Sequence, residues 1–429
     1  MPRGFTQVRY GRTLAGRFRL RFDGNGACVR GRENSVTMVP VVVPISAARW
    51  RSRSKQPLLI GSEIYRKSTY GPKHPLAIPR VSTTLDLIGA LGWVDPGRTL
   101  DSPIASFAQL TRFHTADYIR ALMAAEATQA VPAEVRARHH IGAYGNPVYA
   151  EIFRRPATSA GGVLLAAGLT AEGGIAHVPG GGTHHGRADR ASGFCYVNDA
   201  VLGLLAWLDQ GLTRVLYLDI DAHHGDGVQD AFAEDPRVFT FSIHEAGRWP
   251  FTGALEERAG GQARNIPVPQ GLNDTEMDWL LHHAVLPLAR QLRPQAIMLQ
   301  CGADALEEDP LAKLSLSNNA YWAVVREVMQ LAPRLIVLGG GGYNPWSVSR
   351  CWTGIWGVLN GLEPPGRLPP AAEAILRNLV FNRAAGRNPP EHWFTTLRDV
   401  PRPGPVRLEI RHLAEATLEG LPESAHGVA

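Results

Sequence analysis

The chain has 429 residues, a mass of 46.6 kDa and a hydrophobic share of 45%, so it is long enough for one large domain with a sizeable core. Every apolar run is broken well short of the roughly 20 residues that a membrane-spanning helix needs, which excludes a transmembrane class and a membrane partner. The four cysteines show no CxxC spacing, a pattern typical of free thiols in a reducing compartment, and we expect a cytoplasmic protein.

The formal net charge of +5 is concentrated in an Arg-rich N-terminal arm. Residues 1–55 contain eleven Arg and one Lys against Asp23 and Glu33, a balance of +10, whereas residues 56–429 carry 32 basic and 37 acidic residues, a balance of −5. The arm lacks clear periodicity, so we expect a disordered or non-native extension. Such segments are also typical of nucleic-acid-binding tails and targeting peptides, and a nucleic-acid partner would be assigned to this arm alone.

From residue 57 onward, predicted strands alternate with predicted helices. Short apolar runs predict strands over 57–61, 174–178, 215–218, 238–243, 296–300 and 335–338. Helical spacing predicts helices over 82–91, 115–126, 157–169, 193–208, 275–291 and 318–331. This alternation predicts an α/β fold with a parallel sheet and helices on both faces. Residues 56–429 are interpreted as a single domain, with a Pro-rich and helical remainder beyond about residue 362.

The stretch RVLYLDIDAHHGD at residues 214–226 joins a buried strand to a polar turn. Alternation along an extended chain puts Asp219, Asp221 and His223 on one side. Each of these residues then lies roughly 7 Å from the next one along the chain. Two of these side chains could converge on one cation, because carboxylates and neutral imidazoles bind divalent metals. The alternative is a plain strand-to-helix turn in which an Asp caps the helix and Gly225 eases the bend.

Polar side chains follow four of the predicted strands. They are His184 and His185 after 174–178, Asp219, Asp221 and His223 after 215–218, Asp304 after 296–300, and Tyr343 after 335–338. Because ligands gather at the carboxyl ends of parallel strands, we expect these groups to share one rim of the sheet. This coincidence favours a site more strongly than any single group does.

Four histidine pairs offer an internal comparison. The pair 282–283 lies within a predicted helix, and the pair 139–140 lies in a predicted loop, so both are interpreted as structural or solvated. The pair 184–185 differs, because a tri-glycine turn precedes it and lets the backbone approach a site closely. His224 follows a candidate ligand, but strand alternation points it away.

Four sequence blocks resemble, in chain order, the defining blocks of the zinc-dependent histone deacetylases and the related bacterial acetoin-utilisation deacetylases. The blocks are HVPGGGTHHGRADRASGFCYVNDA, LYLDIDAHHGDGVQDAF, QCGAD with a following DP, and LGGGGYNPWSVSRCW. The resemblance covers about residues 57–362. It implies the three-layer arginase/deacetylase fold, with a central, mostly parallel eight-stranded sheet, and a hydrolase that acts on linear amide C–N bonds.

The resemblance also implies a role for each matching residue. The implied metal ligands are Asp221, His223 and Asp304. The implied catalytic residues are His184, His185, Asp219, Asp226 and Tyr343. The implied acyl-lysine channel is formed by Gly193, Phe194 and Trp249, where Trp249 replaces the usual Phe. Arg80 matches an arginine at an internal acetate exit, and a potassium site would involve Asp219, Asp221, His223 and Ser242.

The chemistry of these groups agrees with those roles. An Asp/His/Asp set leaves coordination positions open for water and a carbonyl oxygen, which is typical of catalytic metal sites. Zinc suits these ligands, and ferrous iron is an alternative. Two anionic ligands make the metal less electron-poor, so His185 is predicted to assist as general base and then as acid, while His184 stabilises charge. The Tyr343 phenol is predicted to hydrogen-bond the developing oxyanion.

Simpler interpretations are kept for the lesser members. Ser242 could be an ordinary strand residue, and Cys195 and Cys301 are interpreted as packed thiols. The glycines at 339–342 do not indicate a phosphate-binding loop, because no GK[ST] follows them.

One position departs from the family pattern and bears on the substrate. Many relatives carry an Asp that clamps the substrate backbone where this chain has Gly145, in Tyr144-Gly145-Asn146 before Pro147. The expected substrate is acetyl-lysine in proteins, with acetylated polyamines or other small acyl-amines as the alternative. A manganese ureohydrolase and a non-catalytic acyl-binding protein are weaker alternatives. The sequence leaves the oligomeric state open.

Overall fold

The computed structural model describes residues 56–420, so the prediction for the arm at 1–55 lies outside the described residues. Eight strands form one sheet, with the bounds β1 Leu58–Gly61, β2 Thr99–Asp101, β3 Gly174–Val178, β4 Val215–Asp219, β5 Val238–Glu245, β6 Ala263–Val268, β7 Ala296–Gln300 and β8 Arg334–Leu338. Their order across the sheet is β2-β1-β3-β8-β7-β4-β5-β6. Every pairing is parallel, which confirms the predicted eight-stranded α/β architecture.

The two strands that the sequence pattern missed, β2 and β6, are the two edges of the sheet. β2 has three residues, too few to show a period, and β6 includes Arg264 and Pro267. An edge strand tolerates a proline because one side of its backbone needs no partner. Edge position therefore explains why neither segment has the continuous apolar run of a buried strand.

Fifteen α-helices are described within residues 56–420. Their bounds are α1 Ile64–Lys67, α2 Arg80–Ala90, α3 Phe107–Leu110, α4 Ala116–Thr128, α5 Ala133–His139, α6 Arg154–Leu169, α7 Asp199–Asp209, α8 Asp226–Ala231, α9 Asp274–Leu280, α10 Leu286–Leu292, α11 Asn318–Val328, α12 Pro345–Leu359, α13 Pro370–Arg377, α14 His392–Thr395 and α15 Leu408–Leu418. The last three lie in the C-terminal part of the chain, beyond residue 362. None of these helices is long and apolar enough to cross a membrane.

The helix predicted over 193–208 was wrong in its first six residues. Gly193 and Phe194 have φ values of +52° and +67°, which no right-handed helix accommodates. The helix begins only at Asp199, where the side chain of Asn198 accepts a 3.0 Å hydrogen bond from the amide of Val201. The preceding residues form a turn that lies against the candidate site.

The helix predicted over 275–291 is interrupted by a π-helical segment, Leu281–Val285. Pro287, the second residue of α10, has no backbone N–H to donate to the carbonyl four residues earlier, as a continuous α-helix requires. The π-helical segment accommodates this missing hydrogen bond. The exposed rings of His282 and His283 hydrogen-bond the carbonyls four residues earlier, at 2.9 and 3.0 Å. Their contacts agree with a structural role for this histidine pair.

The core lies in two layers, one on each face of the sheet. Leu216 and Leu218 of β4 pack in one layer with the apolar faces of α9 to α12. Val215 and Tyr217 of the same strand pack in the other layer with α6 and α7, around the fully buried Trp207. Burying each large apolar side chain contributes about 1.5–3 kcal/mol, so both layers hold the strand ends in a fixed register.

Candidate active site

The predicted polar groups follow four strands that are neighbours in the sheet, in the order β3-β8-β7-β4. All four strands are parallel, so their carboxyl ends lie on one edge. Asp219 ends β4 and is paired in register with Gln300 at the end of β7. The structure therefore brings the loops that carry His184, Asp221, Asp304 and Tyr343 to one rim.

The three candidate metal ligands form one buried group. Their nearest ligand atoms all lie within 4.8 Å of one another. Nδ1 of His223 lies 3.0 Å from Oδ2 of Asp304 and 3.2 Å from Oδ1 of Asp221. Two buried carboxylates this close repel each other, and burial together with Asp221 raises the pKa of Asp304. A divalent cation bound by the three groups would relieve this repulsion, so the residues fit a metal.

Backbone amides fix the other carboxylate oxygens of this group. Oδ1 of Asp304 accepts a 2.9 Å hydrogen bond from the amide of Ala222, and Oδ2 of Asp221 accepts one of 2.8 Å from Gly341. A Cβ atom at Gly302 would lie 1.6 Å from Oδ2 of Asp221, and one at Gly341 would lie 1.9 Å from Oδ2 of Asp304. Glycine is therefore required at both positions by the close approach of the ligands.

Two histidine–aspartate pairs lie beside this group. Nδ1 of His184 lies 2.8 Å from Oδ2 of Asp219, and Nδ1 of His185 lies 2.7 Å from Oδ1 of Asp226. An ionised carboxylate only accepts, so each Nδ1 donates and each Nε2 is left for the site. Nε2 of His184 lies 3.9 Å from Oδ1 of Asp221.

The two imidazoles differ in their affinity for protons. With the charges of the protein alone, burial and the neighbouring His184 lower the pKa of His185 to about 4, although Asp226 opposes this shift. Burial also opposes a charge on His184, but Asp219 and Asp221 raise the pKa of that residue to about 9. His185 is therefore the free base of the pair at neutral pH, as its predicted role requires.

Tyr343 is buried at the end of the glycine run. Gly340 and Gly342 have φ values of +134° and +119°, which a side chain would disfavour. The amide of Tyr343 donates a 2.6 Å hydrogen bond to Oδ2 of Asp309. Arg80 donates to the carbonyl of Gly340 at 2.6 Å and more weakly to that of Gly342 at 3.3 Å. Asp309 and Arg80 thus hold the loop that carries the phenol.

The candidate channel residues pack around His185 and Tyr343. The Trp249 ring lies edge-on to His185, with a centroid distance of 4.6 Å and an interplanar angle of 79°. A Cβ atom at Gly193 would lie 2.4 Å from the Trp249 ring and 2.6 Å from the His185 ring, so only glycine fits there. Phe194 lies edge-on to Tyr343 at 6.1 Å. Gly193, Phe194, His185 and Tyr343 line a narrow cavity of about 60 Å³.

Arg80 and Ser242 lie close to this site without contacting the candidate metal group through their side chains. Arg80 lines the same cavity, and burial lowers the pKa of its guanidinium. Ser242 is paired in register with Asp219, and its hydroxyl lies 2.9 Å from Nδ1 of His244. These positions leave the acetate-exit and potassium assignments as predictions.

Residues outside the site behave largely as expected. The prediction that His139 lies in a loop was wrong, because this residue ends α5. Its Nδ1 lies 2.5 Å from the carbonyl of Asp189. His224 points away from the candidate ligands and contacts Thr252 and Gln229. Cys195, Cys301 and Cys351 are buried free thiols.

Three polar residues that support the site were assigned no role from sequence. Asp309 binds the Tyr343 amide, the hydroxyl of Tyr217 donates to Asp219 at 2.7 Å, and Arg187 forms an ion pair with Asp226. Alternation within β4 could have indicated Tyr217, which precedes Asp219 by two residues. Arg187 and Asp309 lie in the quoted motif blocks, but no alternation along the chain indicates their contacts.

Comparison with known proteins identifies the family. The family profile described as Histone deacetylase domain matches residues 74–359. The chain is a member of the histone deacetylase family. Members of this family are hydrolases and in general zinc-dependent, so this chain is a deacetylase, and the arginase/deacetylase fold implied by its motifs is confirmed.

Individual relatives agree with this assignment. The deacetylase is 36% identical over 327 residues to the acetoin utilization protein AcuC of Bacillus subtilis. The matched region covers 73% of this chain and 84% of that protein. It is 36% identical over 309 residues to Histone deacetylase 1 of Oryza sativa, covering 70% of this chain but 59% of the plant protein. A crystal structure of an HDAC homolog from Aquifex aeolicus is 38% identical, with a TM-score of 0.81, and covers 85% of this chain and 100% of that one. A structure of an HDAC homolog complexed with SAHA matches with the same values.

Proposed function

We propose that this deacetylase removes acetyl groups from the side-chain amine of acetyl-lysine in cytoplasmic proteins, with a metal ion held by Asp221, His223 and Asp304. The observation that carries the proposal is the buried carboxylate–imidazole–carboxylate group beside two His–Asp pairs. We assign zinc to this group, with ferrous iron as the alternative. When bound, such an ion supplies a Lewis acid and a water molecule of lowered pKa.

His185 is assigned as the proton-transfer group. Its Nδ1 proton is held by Asp226 at 2.7 Å, which leaves Nε2 as an unprotonated acceptor facing the cavity. In this role Nε2 accepts a proton from the attacking water and returns it to the leaving amine. His184, whose pKa is raised by Asp219 and Asp221, remains protonated and stabilises negative charge next to it.

Tyr343 is assigned as the donor to the substrate carbonyl oxygen. Burial raises the pKa of its phenol well above the usual value, so the group keeps its proton at neutral pH. A preorganised neutral donor of this kind stabilises the developing oxyanion without reorganisation. Gly193, Phe194 and Trp249 are assigned to the channel that holds the lysine side chain.

Two ancillary assignments complete the proposal. Arg80, which lines the cavity, is assigned to the departing acetate, because a buried guanidinium suits a carboxylate. A potassium ion is assigned to the back of β4, near Asp219, Asp221, His223 and Ser242. Asp219 is the last residue of β4 and is paired in register with Ser242 inside β5, and Asp221 and His223 come just after β4 in the chain.

The test is acetate release by metal-stripped protein that has been reconstituted with Zn²⁺ or Fe²⁺. We expect release from an acetyl-lysine peptide only with metal, and none from the matched Asp304→Asn variant. Preferential hydrolysis of N-acetylspermidine would favour the polyamine alternative. A tightly bound metal without hydrolysis of any acyl-amine would contradict the proposal and indicate a non-catalytic acyl-binding protein.

A further inference from the structure

A surface groove of about 460 Å³ adjoins the mouth of the candidate channel. We call it the rim groove, and Tyr70, Lys73, His74, Gly145, Pro147 and Phe194 line it. Tyr70 and Phe194 line both the rim groove and the inner cavity. A group attached to the amine side of a bound acyl-lysine would therefore leave the channel directly over this groove.

The wall of the rim groove is aromatic and fixed. The ring of His74 stacks on Tyr70 at 4.9 Å and meets Phe194 edge-on at 4.5 Å. Nδ1 of His74 accepts a 3.0 Å hydrogen bond from the amide of Leu76, so Nε2 carries the proton and donates to the carbonyl of Gly145 at 3.0 Å. Both ring nitrogens are satisfied, which leaves the ring as a neutral apolar surface.

The rim groove is positively charged. None of the described residues that line it is an aspartate or a glutamate, and the exposed Lys73 is among them. Burial lowers the pKa of His74, and the positive charges of Arg155, Arg383 and Arg80 lower it further. Lys73, with no carboxylate among the described lining residues, therefore disfavours a cation in the groove.

The backbone conformation and the surroundings of Gly145 disfavour any side chain at this position, including a carboxylate. Gly145 has a φ of +80°, and a Cβ atom there would lie 2.8 Å from Cε1 of Phe194. An aspartate at this position would strain the backbone and displace a residue that lines both the groove and the channel. The groove therefore offers an apolar surface at this position and no carboxylate.

We propose that the rim groove selects acetyl-lysine flanked in a polypeptide by an apolar or aromatic residue, favours a neighbouring acidic residue, and rejects polycationic acyl-amines. This inference rests on the proposed function of the site and names the substrate class within it. An apolar flanking side chain would bury area against His74, Tyr70 and Phe194. A polyamine would instead place ammonium groups near Lys73 without a carboxylate to pair them.

The test compares kcat/KM for blocked acetyl-lysine peptides that differ in one neighbouring residue, scanned on both sides. We expect Phe to exceed Gly by about 10-fold at the better side, because part of its area is buried. Glu should exceed Lys by about 3-fold at low salt, and this difference should vanish in roughly 1 M salt. N-acetylspermidine should fall about 100-fold below the Phe peptide.

Charge-reversal variants separate the groove from the rest of the surface. Lys73→Glu should invert the Glu-over-Lys preference and keep the Phe-over-Gly preference. The matched control Lys67→Glu makes the same charge change at an exposed lysine that does not line the groove, and should invert nothing. Equal kcat/KM for the Phe, Gly and Lys peptides would overturn the inference while leaving deacetylation of acetyl-lysine intact. A preference for N-acetylspermidine would overturn both the inference and the proposed acetyl-lysine substrate. Loss of turnover of every substrate, including blocked acetyl-lysine, would overturn the proposed function itself.

Discussion

Asp226 holds His185 through a 2.7 Å hydrogen bond between its Oδ1 and Nδ1 of the imidazole. Arg187 binds the other oxygen of the same carboxylate, and the amide of Gly227 donates to Oδ1 at 2.9 Å. Burial opposes the charge, but His185 and Arg187 lower the pKa of Asp226 to about 2. The carboxylate is therefore ionised and fixed at neutral pH, and it sets which nitrogen of His185 faces the cavity.

This pair predicts an acidic limit for activity that lies below the ordinary histidine range. Burial lowers the pKa of His185 to about 4, so the imidazole is the free base above that pH and is protonated below it. We expect the acid limb of kcat/KM to fall near pH 4, with His185→Ala lowering kcat about 10²–10⁴-fold at pH 7. A limb at pH 6.5 that persists in His185→Ala would contradict the assignment. Circular dichroism at each pH controls for unfolding.

Replacing Tyr343 by Phe removes one hydrogen-bond donor and leaves the ring. Losing an oxyanion donor typically costs about 2.7–4 kcal/mol, so we expect turnover to fall about 10²–10³-fold. The metal content should stay at the wild-type level, because the phenol is not part of the carboxylate–imidazole group. Near-normal turnover in this variant would show that the phenol does not stabilise the oxyanion.

A single methyl group at residue 302 should prevent metal binding. A Cβ there would lie 1.6 Å from Oδ2 of Asp221, so Gly302→Ala must displace that carboxylate. We expect the zinc affinity, measured by competition with a chelator, to fall at least about 10-fold. Gly168→Ala is the matched control, because a Cβ at that helical position meets nothing within 4 Å. Equal affinities in the two variants would show that Asp221 is not a ligand.

We propose that Trp249 limits the width of the channel. This ring packs on His185 and occupies the space next to Gly193. Trp249→Phe should leave a wider passage, so we expect the ratio of butyryl-lysine to acetyl-lysine turnover to rise several-fold, roughly the value of one or two extra buried methylene groups. Both substrates are measured on the same sample, so any loss of folded protein cancels in the ratio. An unchanged ratio would remove Trp249 from the channel wall.

The sequence predicts the parts of the site that obey local rules. Asp219 and Asp221 alternate along one strand, and the parallel arrangement of strands brings Asp304 and Tyr343 to the same edge. The roles of these residues came from a resemblance of four motifs, because spacing alone left a plain strand-to-helix turn open. The structure adds the distances, within 4.8 Å, at which the ligand atoms of Asp221, His223 and Asp304 could share one metal ion.

The parts that sequence could not predict depend on tertiary contacts. Asp309 reaches the Tyr343 amide across 34 residues of sequence, with no periodic signal linking them. Helical spacing over 193–198 was overridden by the positive φ of Gly193 and Phe194, which turn the chain toward Trp249 and His185. Edge strands such as β6 lack the apolar run that marks a buried strand, so only their pairing reveals them.

The most direct test of the account is anomalous X-ray diffraction at the zinc edge from crystals of zinc-loaded protein. We predict one strong peak bonded to Asp221, His223 and Asp304 at about 2.0–2.2 Å, with Nε2 of His185 and the Tyr343 hydroxyl facing its open side. A peak elsewhere on the protein, or the same peak in the Asp304→Asn variant, would contradict the central claim that these three side chains hold the catalytic metal.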